Sequence, residues 1–236
     1  MKIGIITDIH NNILALESVL KVFNDENCDG VICCGDIIGI GPHPEETVLA
    51  VMNIPNLLTC VRGNHERYLI EGLDAHPYMD AGEAEHHKWQ HALLSDKSVN
   101  FIKSLQDEVI LDMGGKRVHV CHYGMGKNGW YARIIHNPTI SDLSTLFAGI
   151  DADVVLFGHH HIKTIDNSDK FYINCGSLGC PHSGDKNTAS AGILTIEDDI
   201  SFVELEVEYD VNEVLCDIER LSYPEKDTII RIFFGR

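Results

Sequence analysis

The first quarter of the chain alternates between two patterns, and that alternation limits the topologies open to it. "KIGIIT" is a short aliphatic, β-branched run, and in "ILALESVLKVF" apolar residues recur at helical spacing. "DGVICCG" repeats the strand pattern, "PEETVLAVMN" the helical one with Pro44 near its start, and "NLLTCV" supplies a third strand. A βαβαβ unit of this kind favours strands that run the same way, with crossover helices on the sheet faces.

The remainder is richer in strands. Residues 66–107 read as a polar, mainly helical insertion over one end of the sheet. "EVILDM" and "KRVHVCH" flank Gly114-Gly115 and read as a hairpin. "DVVLFG", "KFYINC", "SAGILTI" and "DISFVELEVEY" follow as strands, and a helical segment begins near 210 with a break at Pro224. The expectation is one α/β domain over 1–236, with two packed sheets and outer helices rather than a single open sheet. The apolar "DTIIRIFFGR" at its end reads as a helix docked on its own domain; a homo-oligomer contact is the alternative.

Charge and cysteine usage narrow the function. With 18 basic and 36 acidic residues the net charge is −18, a field that repels a polyanion and argues against a broad nucleic-acid surface. No apolar run approaches the length of a membrane span, and "MKIGIIT" runs straight into a strand without signal-peptide features. Eight cysteines lie scattered without a CxxC pair, several inside apolar runs (Cys33, Cys34, Cys60, Cys121), which suits reduced thiols in a cytoplasmic protein.

Ligand-type residues recur just after strands. "TDIH" supplies Asp8 and His10, "CGDIIG" Asp36, "VRGNHE" Asn64 and His65, "VCHYG" His122, and "LFGHHH" His159 and His161. Loops leaving the carboxyl ends of parallel strands converge, so these side chains are expected in one crevice. Mixed oxygen and imidazole donors suit divalent transition metals and not an all-oxygen calcium cage. Seven donors exceed the need of one ion, and with one carboxylate shared they make two sites. The i, i+2 spacings of Asp8 with His10 and of His159 with His161 are read as extended turns, with Ile9 and His160 facing elsewhere.

In these residues the chain resembles the calcineurin-like metallophosphoesterase superfamily, whose motifs run D-x-H, G-D, G-N-H-D/E, H and G-H-x-H. They stand here as Asp8-Ile9-His10, Gly35-Asp36, Gly63-Asn64-His65-Glu66, His122 and Gly158-His159-His160-His161, in order, with a match spanning residues 3 to about 208. "GDIIGIGPHPEE" and "INCGSLGCPHSGD" are similar to segments of its compact bacterial and archaeal phosphodiesterase-like branch. The resemblance implies a four-layer α/β/β/α sandwich of two mixed sheets. It also implies two divalent ions, manganese favoured over iron, nickel, zinc or magnesium. Asp8, His10, Asp36 and His161 would hold one ion, and Asp36, Asn64, His122 and His159 the other. A hydroxide bridging the pair would attack a small phosphorylated substrate while His65 protonates the leaving group. Gly63 would let the backbone turn close to the site, and Glu66 would orient the loop or its histidine.

Several positions depart from the family pattern. Asn11 replaces the usual Gly and tolerates a left-handed backbone; Tyr123 separates His122 from Gly124; His160 and Cys175 replace a common Thr and Pro. "VRGNHE" looks like serine/threonine protein phosphatases, yet their G-D-Y-V-D-R-G motif reads Gly35-Asp36-Ile37-Ile38-Gly39-Ile40-Gly41 here, without its second Asp or its Arg. The leading expectation is therefore a phosphodiesterase. A phosphomonoesterase or protein phosphatase is the alternative, and a non-catalytic metal-binding scaffold a third. A haloacid-dehalogenase-type enzyme would need D-x-D. Candidate substrate contacts are Arg62, with pairing to a surface carboxylate as its alternative; Tyr123, which would line the pocket or cover a sheet edge; and His182. His87 and His91 share a helix face at i, i+4 that reads as solvated, with a metal pair as its alternative. His119 reads as structural, and His43 and His136 lie in loops within reach of the expected cleft.

Overall fold

The computed structural model describes residues 1–76, 79–180 and 188–236. β1 (Lys2–Ile6), α1 (Ile13–Asp25), β2 (Gly30–Cys33), α2 (Pro44–Met52) and β3 (Leu57–Cys60) form the opening βαβαβ unit, its three strands parallel. The Asn12 side chain caps α1 by accepting the Ala15 N–H, and Pro44 opens α2, where a missing N–H leaves no bond unmade. The next segment is helical: α3 (Asn64–Glu71), α4 (Ala81–Ala92) and α5 (Asp96–Ser104). β4 (Glu108–Met113) and β5 (Lys116–Cys121) then pair as the hairpin expected around Gly114-Gly115. α6 (Ile140–Leu146), β6 (Val154–Leu156), β7 (Thr164–Asp166), β8 (Phe171–Asn174), β9 (Thr188–Ile196), β10 (Ile200–Glu208), α7 (Val211–Arg220) and α8 (Lys226–Phe233) complete the chain. Two described elements, α6 with seven residues and the edge strand β7 with three, carry too short a pattern to read from sequence.

The strands form two five-stranded mixed sheets, ordered β10-β9-β1-β2-β3 and β4-β5-β6-β8-β7. Side-chain alternation decides what each face packs against. Ile3 and Ile5 of β1 meet Val118, Val120, Val154 and Leu156 in the layer between the sheets. Ile6, one residue on, turns outward to pack with Leu16, Val19 and Phe23 of α1. The outer face of the second sheet is covered by Phe147, Phe157, Tyr172 and Leu143 of α6. These three apolar clusters make the four layers of an α/β/β/α sandwich. Among the described residues no helix is long and apolar enough to cross a membrane.

The histidine-rich α4 departs from expectation. The face shared by His87 and His91 is not solvated: His87 is 1% exposed and His91 half-buried, and the neighbouring His86 is buried too. The His86 ring lies 5.8 Å from Trp89 and 4.9 Å from Tyr223, a contact that ties α4 to the segment joining α7 and α8. α8 docks on the same body through buried Ile229 and Phe234, leaving Ile232 exposed. The reason is tertiary. A polar helix clamped between a sheet end and a C-terminal helix buries whatever side chains it carries there.

Burial, reinforced by the nearby His87, lowers the pKa of His86 to about 3 and that of His91 to about 4, from 6.5. Both rings stay neutral in the fold while the unfolded chain takes up protons below 6.5, so their contribution to stability is present above that pH and lost on acidification. Each destabilises the fold by at most about 1.4 kcal/mol per pH unit over that window. Calorimetry from pH 7 down to pH of about 4 should show a falling melting temperature, and His86→Gln should flatten part of that slope.

Candidate metal centre

The parallel strands β1, β2, β3, β5 and β6 all end at one edge, and the residues that follow them turn inward together. Asp8 and His10 follow β1, Asp36 follows β2, His122 follows β5, and His159 and His161 follow β6. The i, i+2 pairs do not converge through extended backbone, as their spacing suggested. Asp8, His10 and Asp36 have φ of 53°, 49° and 52°, and His159 and His161 have 77° and 59°. Left-handed backbone costs roughly 1–2 kcal/mol per non-glycine residue. Here it is held by a ladder beyond the sheet: Asp8, His10 and Asn11 donate their N–H groups to the carbonyls of Gly35, Asp36 and Ile37 at 3.0, 3.1 and 2.9 Å. Asn11, at φ 54°, takes the left-handed backbone expected of it. Ile9 is buried in the helical-face core, and His160 packs against Tyr123 and Phe157.

The "GNHE" segment is the first turn of a helix rather than a free loop. Gly63 caps α3, and Asn64, His65 and Glu66 are its first residues. Gly63 itself is extended, at φ −99°, so its backbone does not call for glycine. Space does: a Cβ there would stand 2.1 Å from Asp36 Oδ1. Gly39 meets the same limit from the other side, since a Cβ on it would fall 2.3 Å from His65 Nδ1.

Glu66 is buried and does not touch the histidine beside it. Its two carboxylate oxygens accept the N–H groups of Gly63 (2.6 Å), Asp36 (3.0 Å), Ile37 (2.9 Å) and Ile38 (3.1 Å). Burial and the Asp36 charge push its pKa up to about 7, against the four donors that favour the ionised form. The carboxylate thus fastens the loop after β2 to the start of α3.

Two imidazoles have their orientation set from behind. Cys34 O lies 2.8 Å from His122 Nδ1 and Ile38 O lies 3.2 Å from His10 Nδ1, so Nδ1 donates in each and the Nε2 lone pair faces the centre. There His10 Nε2 stands 2.9 Å from His161 Nε2, which is 3.4 Å from Asp8 Oδ1. His122 Nε2 is 3.2 Å from both Asp36 Oδ2 and Asn64 Oδ1, and His159 Nδ1 is 2.9 Å from Asn64 Oδ1. Asp36 belongs to two donor groups, one with His10 and His65, the other with His122 and His159, each within 4.8 Å. Acceptor atoms aimed at one another repel unless a positive charge lies between them, which is what a metal centre supplies. The electrostatics agree. Burial alone would depress His122, yet with no cation between the donors the charges of Asp36 and Asp8 outweigh it and raise His122 to about 10, so a proton on Nε2 answers that negative charge and a bound cation would displace it. Burial raises Asp36 too, but His122, His65 and His10 hold it well below the ordinary carboxylate range. The residues present fit divalent cations, with Asp36 placed to be shared.

His65 stands beside this set. Its backbone N–H donates to Asp36 Oδ1 at 3.0 Å, and its ring is 5.0 Å from that of His10 and 5.1 Å from that of His87. Burial keeps its pKa well below the usual value, with Asp36 opposing, so the resting ring is neutral.

The expected substrate contacts fare differently. Arg62 turns to the Leu105 carbonyl, at 2.8 Å from Nε, and its Nε lies 3.4 Å from Asp107; the surface-carboxylate alternative describes it. Tyr123 is 2% exposed and packs behind His159 and against Phe157, so it is a core residue and not a pocket wall. His182 lies outside the described residues. His43 pairs with Asp217 at 3.0 Å, His119 is buried with Glu108 at 2.8 Å, and His136 is exposed. Two participants were missed. Gln90 Oε1 accepts the Gly39 N–H (2.7 Å) and the Asn11 amide (3.0 Å), while its Nε2 donates to His87 Nδ1 (2.8 Å). Cys180, in the "GSLGC" segment, brings its sulfur within 4.8 Å of the His10 and His161 donor atoms. The i, i+3 pairing of His87 with Gln90 was the available signal for the first.

Residues 1–199 match the calcineurin-like phosphoesterase superfamily domain. An uncharacterised protein of Methanocaldococcus jannaschii, MJ0912, is 28% identical over 250 residues, covering 99% of this chain and 98% of its own. Phosphodiesterase MJ0936 of the same organism is 42% identical over 40 residues, 17% of this chain and 24% of that protein. The crystal structure of a metallophosphoesterase from Sphaerobacter thermophilus superposes with a TM-score of 0.76 at 25% identity, both chains covered in full.

Two outcomes test the centre. Mn²⁺ added at about 100 times its dissociation constant should stabilise the fold by about 2.7 kcal/mol in thermal melts, reversed by EDTA and lost in Asp36→Asn. Glu66→Gln, which sets an NH₂ against backbone donors, should cost about 2–4 kcal/mol in denaturant titrations and weaken metal binding about 10–100-fold by calorimetry.

Proposed function

The chain belongs to the calcineurin-like phosphoesterase superfamily, and we propose that within it this protein is a two-metal phosphodiesterase for nucleotide-like substrates. The observation that carries this is the convergence of seven donors from five strand ends, with Asp36 common to two donor groups and His65 bonded through its backbone to that same carboxylate. Asp8, His10, Asp36 and His161 would hold one cation, and Asp36, Asn64, His122 and His159 the other, manganese being favoured. Bound there, the pair supplies an activated water and takes up charge on the phosphoryl oxygens.

The chain's own residues do the rest. Asn64 offers a neutral oxygen, so the donor set gains no further negative charge. Thr7 Oγ donates to Asp8 Oδ2 at 2.7 Å and the His159 N–H reaches both Asp8 oxygens at 3.1 Å, which holds that carboxylate in one orientation. His65, neutral at rest, gains proton affinity when a phosphate anion settles beside it, and passes that proton to the leaving oxygen.

A diester is favoured over a monoester on charge. A monoester dianion would enter a chain of net −18, and Arg62, the cation of the motif, is turned to Leu105 and Asp107. The partial similarity to phosphodiesterase MJ0936 supports the same preference. A reducing cytoplasm suits eight free thiols.

Hydrolysis of a nitrophenyl diester and the matching monoester, side by side with Mn²⁺, tests the reading. The diester should turn over faster, EDTA and Asp36→Asn should abolish both rates, and preference for the monoester would make this a phosphatase. His65→Ala should keep its metals and lose about 10²–10⁴-fold on a poor leaving group, with a smaller loss on nitrophenolate. A full rate on the poor leaving group would remove His65 from the proton transfer.

A further inference from the structure

Between α4 and α8 lies a cavity of about 310 Å³, and one of the side chains lining it is His65. Whatever occupies it therefore sits against the residue that serves the leaving oxygen. Its far wall is built from the C-terminal helix, by Ile229, Ile232 and Phe233, and that wall reaches the metal donors, with Phe233 and His161 rings 6.2 Å apart. This helix lies beyond the 1–199 span matched by the superfamily. The wall is thus formed by this chain outside the shared motifs.

The lining has a definite chemistry. One side is apolar, with Ile40 facing the α8 residues. The other side carries His87. Because Gln90 Oε1 is taken by the Gly39 N–H, its amide nitrogen must be the group facing His87 Nδ1. Nδ1 accepts, and the ring's proton is on Nε2. Asp80, Glu83 and Glu225 stand at the polar margin, and no lysine or arginine is among the described residues lining the cavity. An anionic leaving group meets three carboxylates there without a cation. A neutral group with a flat ring and hydroxyl or amino donors finds an apolar wall for the ring and oxygen acceptors for the donors.

We propose that this cavity is the leaving-group subsite, and that it takes a nucleoside. The inference rests on the phosphodiesterase reading and specifies which of the two ester groups departs. Oxygen from water forms the new bond to phosphorus, and the bond between phosphorus and the nucleoside oxygen breaks. That oxygen takes the His65 proton, and the proton released by the water makes up the balance. The products are a free nucleoside and the monoester of the other alcohol.

The methyl ester of adenosine 5′-phosphate tests this, because either of its ester bonds can break. Phosphorus NMR distinguishes methyl phosphate, left when adenosine departs, from adenosine monophosphate, left when methanol departs. The Mn²⁺-loaded protein should give methyl phosphate in excess by about tenfold or more. Ile232→Glu, at a position 55% exposed and so tolerant of charge, should raise KM about tenfold and bring the ratio towards parity. Adenosine should also bind the metal-free protein in calorimetry, and the same variant should weaken that binding about tenfold. Adenosine monophosphate as the main product, an unchanged ratio in the variant, or failure to turn over this diester while a nitrophenyl diester is hydrolysed overturns the subsite and leaves the phosphoesterase reading in place. If no ester turns over, that reading falls and the leaving-group assignment falls with it; adenosine binding weakened in Ile232→Glu would then uphold the cavity as a nucleoside site alone, and no binding overturns that too.

Discussion

Four backbone N–H groups held by one buried carboxylate set the geometry on which the centre depends. Glu66 reaches from the first turn of α3 to Gly63 and to three successive residues of the loop after β2. Asp36 is the first of those three, so the carboxylate common to both donor groups is positioned by another carboxylate a few ångströms behind it. Two negative charges so close repel, and the arrangement persists because one is saturated by N–H donors and the other faces imidazoles. The glycines follow from this. With Glu66 drawing α3 against the Asp36 loop, Gly63 has no room for a side chain, and the His65 ring occupies the space a side chain at Gly39 would need.

Much of this was written in local pattern. The parallel βαβαβ unit, the hairpin at Gly114-Gly115 and the gathering of the candidate metal donors all follow from residues whose neighbours in sequence define their surroundings. A strand end exposes its loop at a known place, so an Asp or His there has few directions to point. What could not be read depended on segments far apart in the chain. Arg62 was open to a phosphate until α5 brought the Leu105 carbonyl to its guanidinium. Tyr123 follows a metal donor, but α6 and Phe157 close over it. α4 has the composition of a solvated helix, and only the docking of α8 against it makes His86 and His87 interior residues. The i, i+2 rule failed for a local reason. It presumes extended backbone, while Asp8, His10, His159 and His161 all bend into left-handed geometry.

The molecule divides its labour between a shared half and a particular one. The strand ends carry the donors proposed to handle a phosphate ester, within the span matched by the superfamily. The insertion and the C-terminal helix, neither of which supplies a metal donor, enclose the space beside His65. Gln90 joins the two halves. It binds the loops after β1 and β2 with its oxygen and orients His87 with its nitrogen, so the insertion cannot shift without disturbing the centre. Chemistry common to many substrates and the choice among them are thereby coupled through one side chain.

The place of β1 has a consequence for how the protein is made. Although it precedes the other described strands in the chain, β1 lies in the middle of its sheet, between β2 and β9, and its residues pair with Gly192 to Thr195. The first donor, Asp8, leaves this strand, and the last, His161, comes from the other sheet. Such contacts span most of the chain, and closure of so long a loop precedes any reward from it. A nascent chain on the ribosome therefore displays its aspartates and histidines singly, without the paired sites that bind a cation strongly. Capture of a cation at the proposed centre would wait until the β9 hairpin has emerged and inserted beside β1.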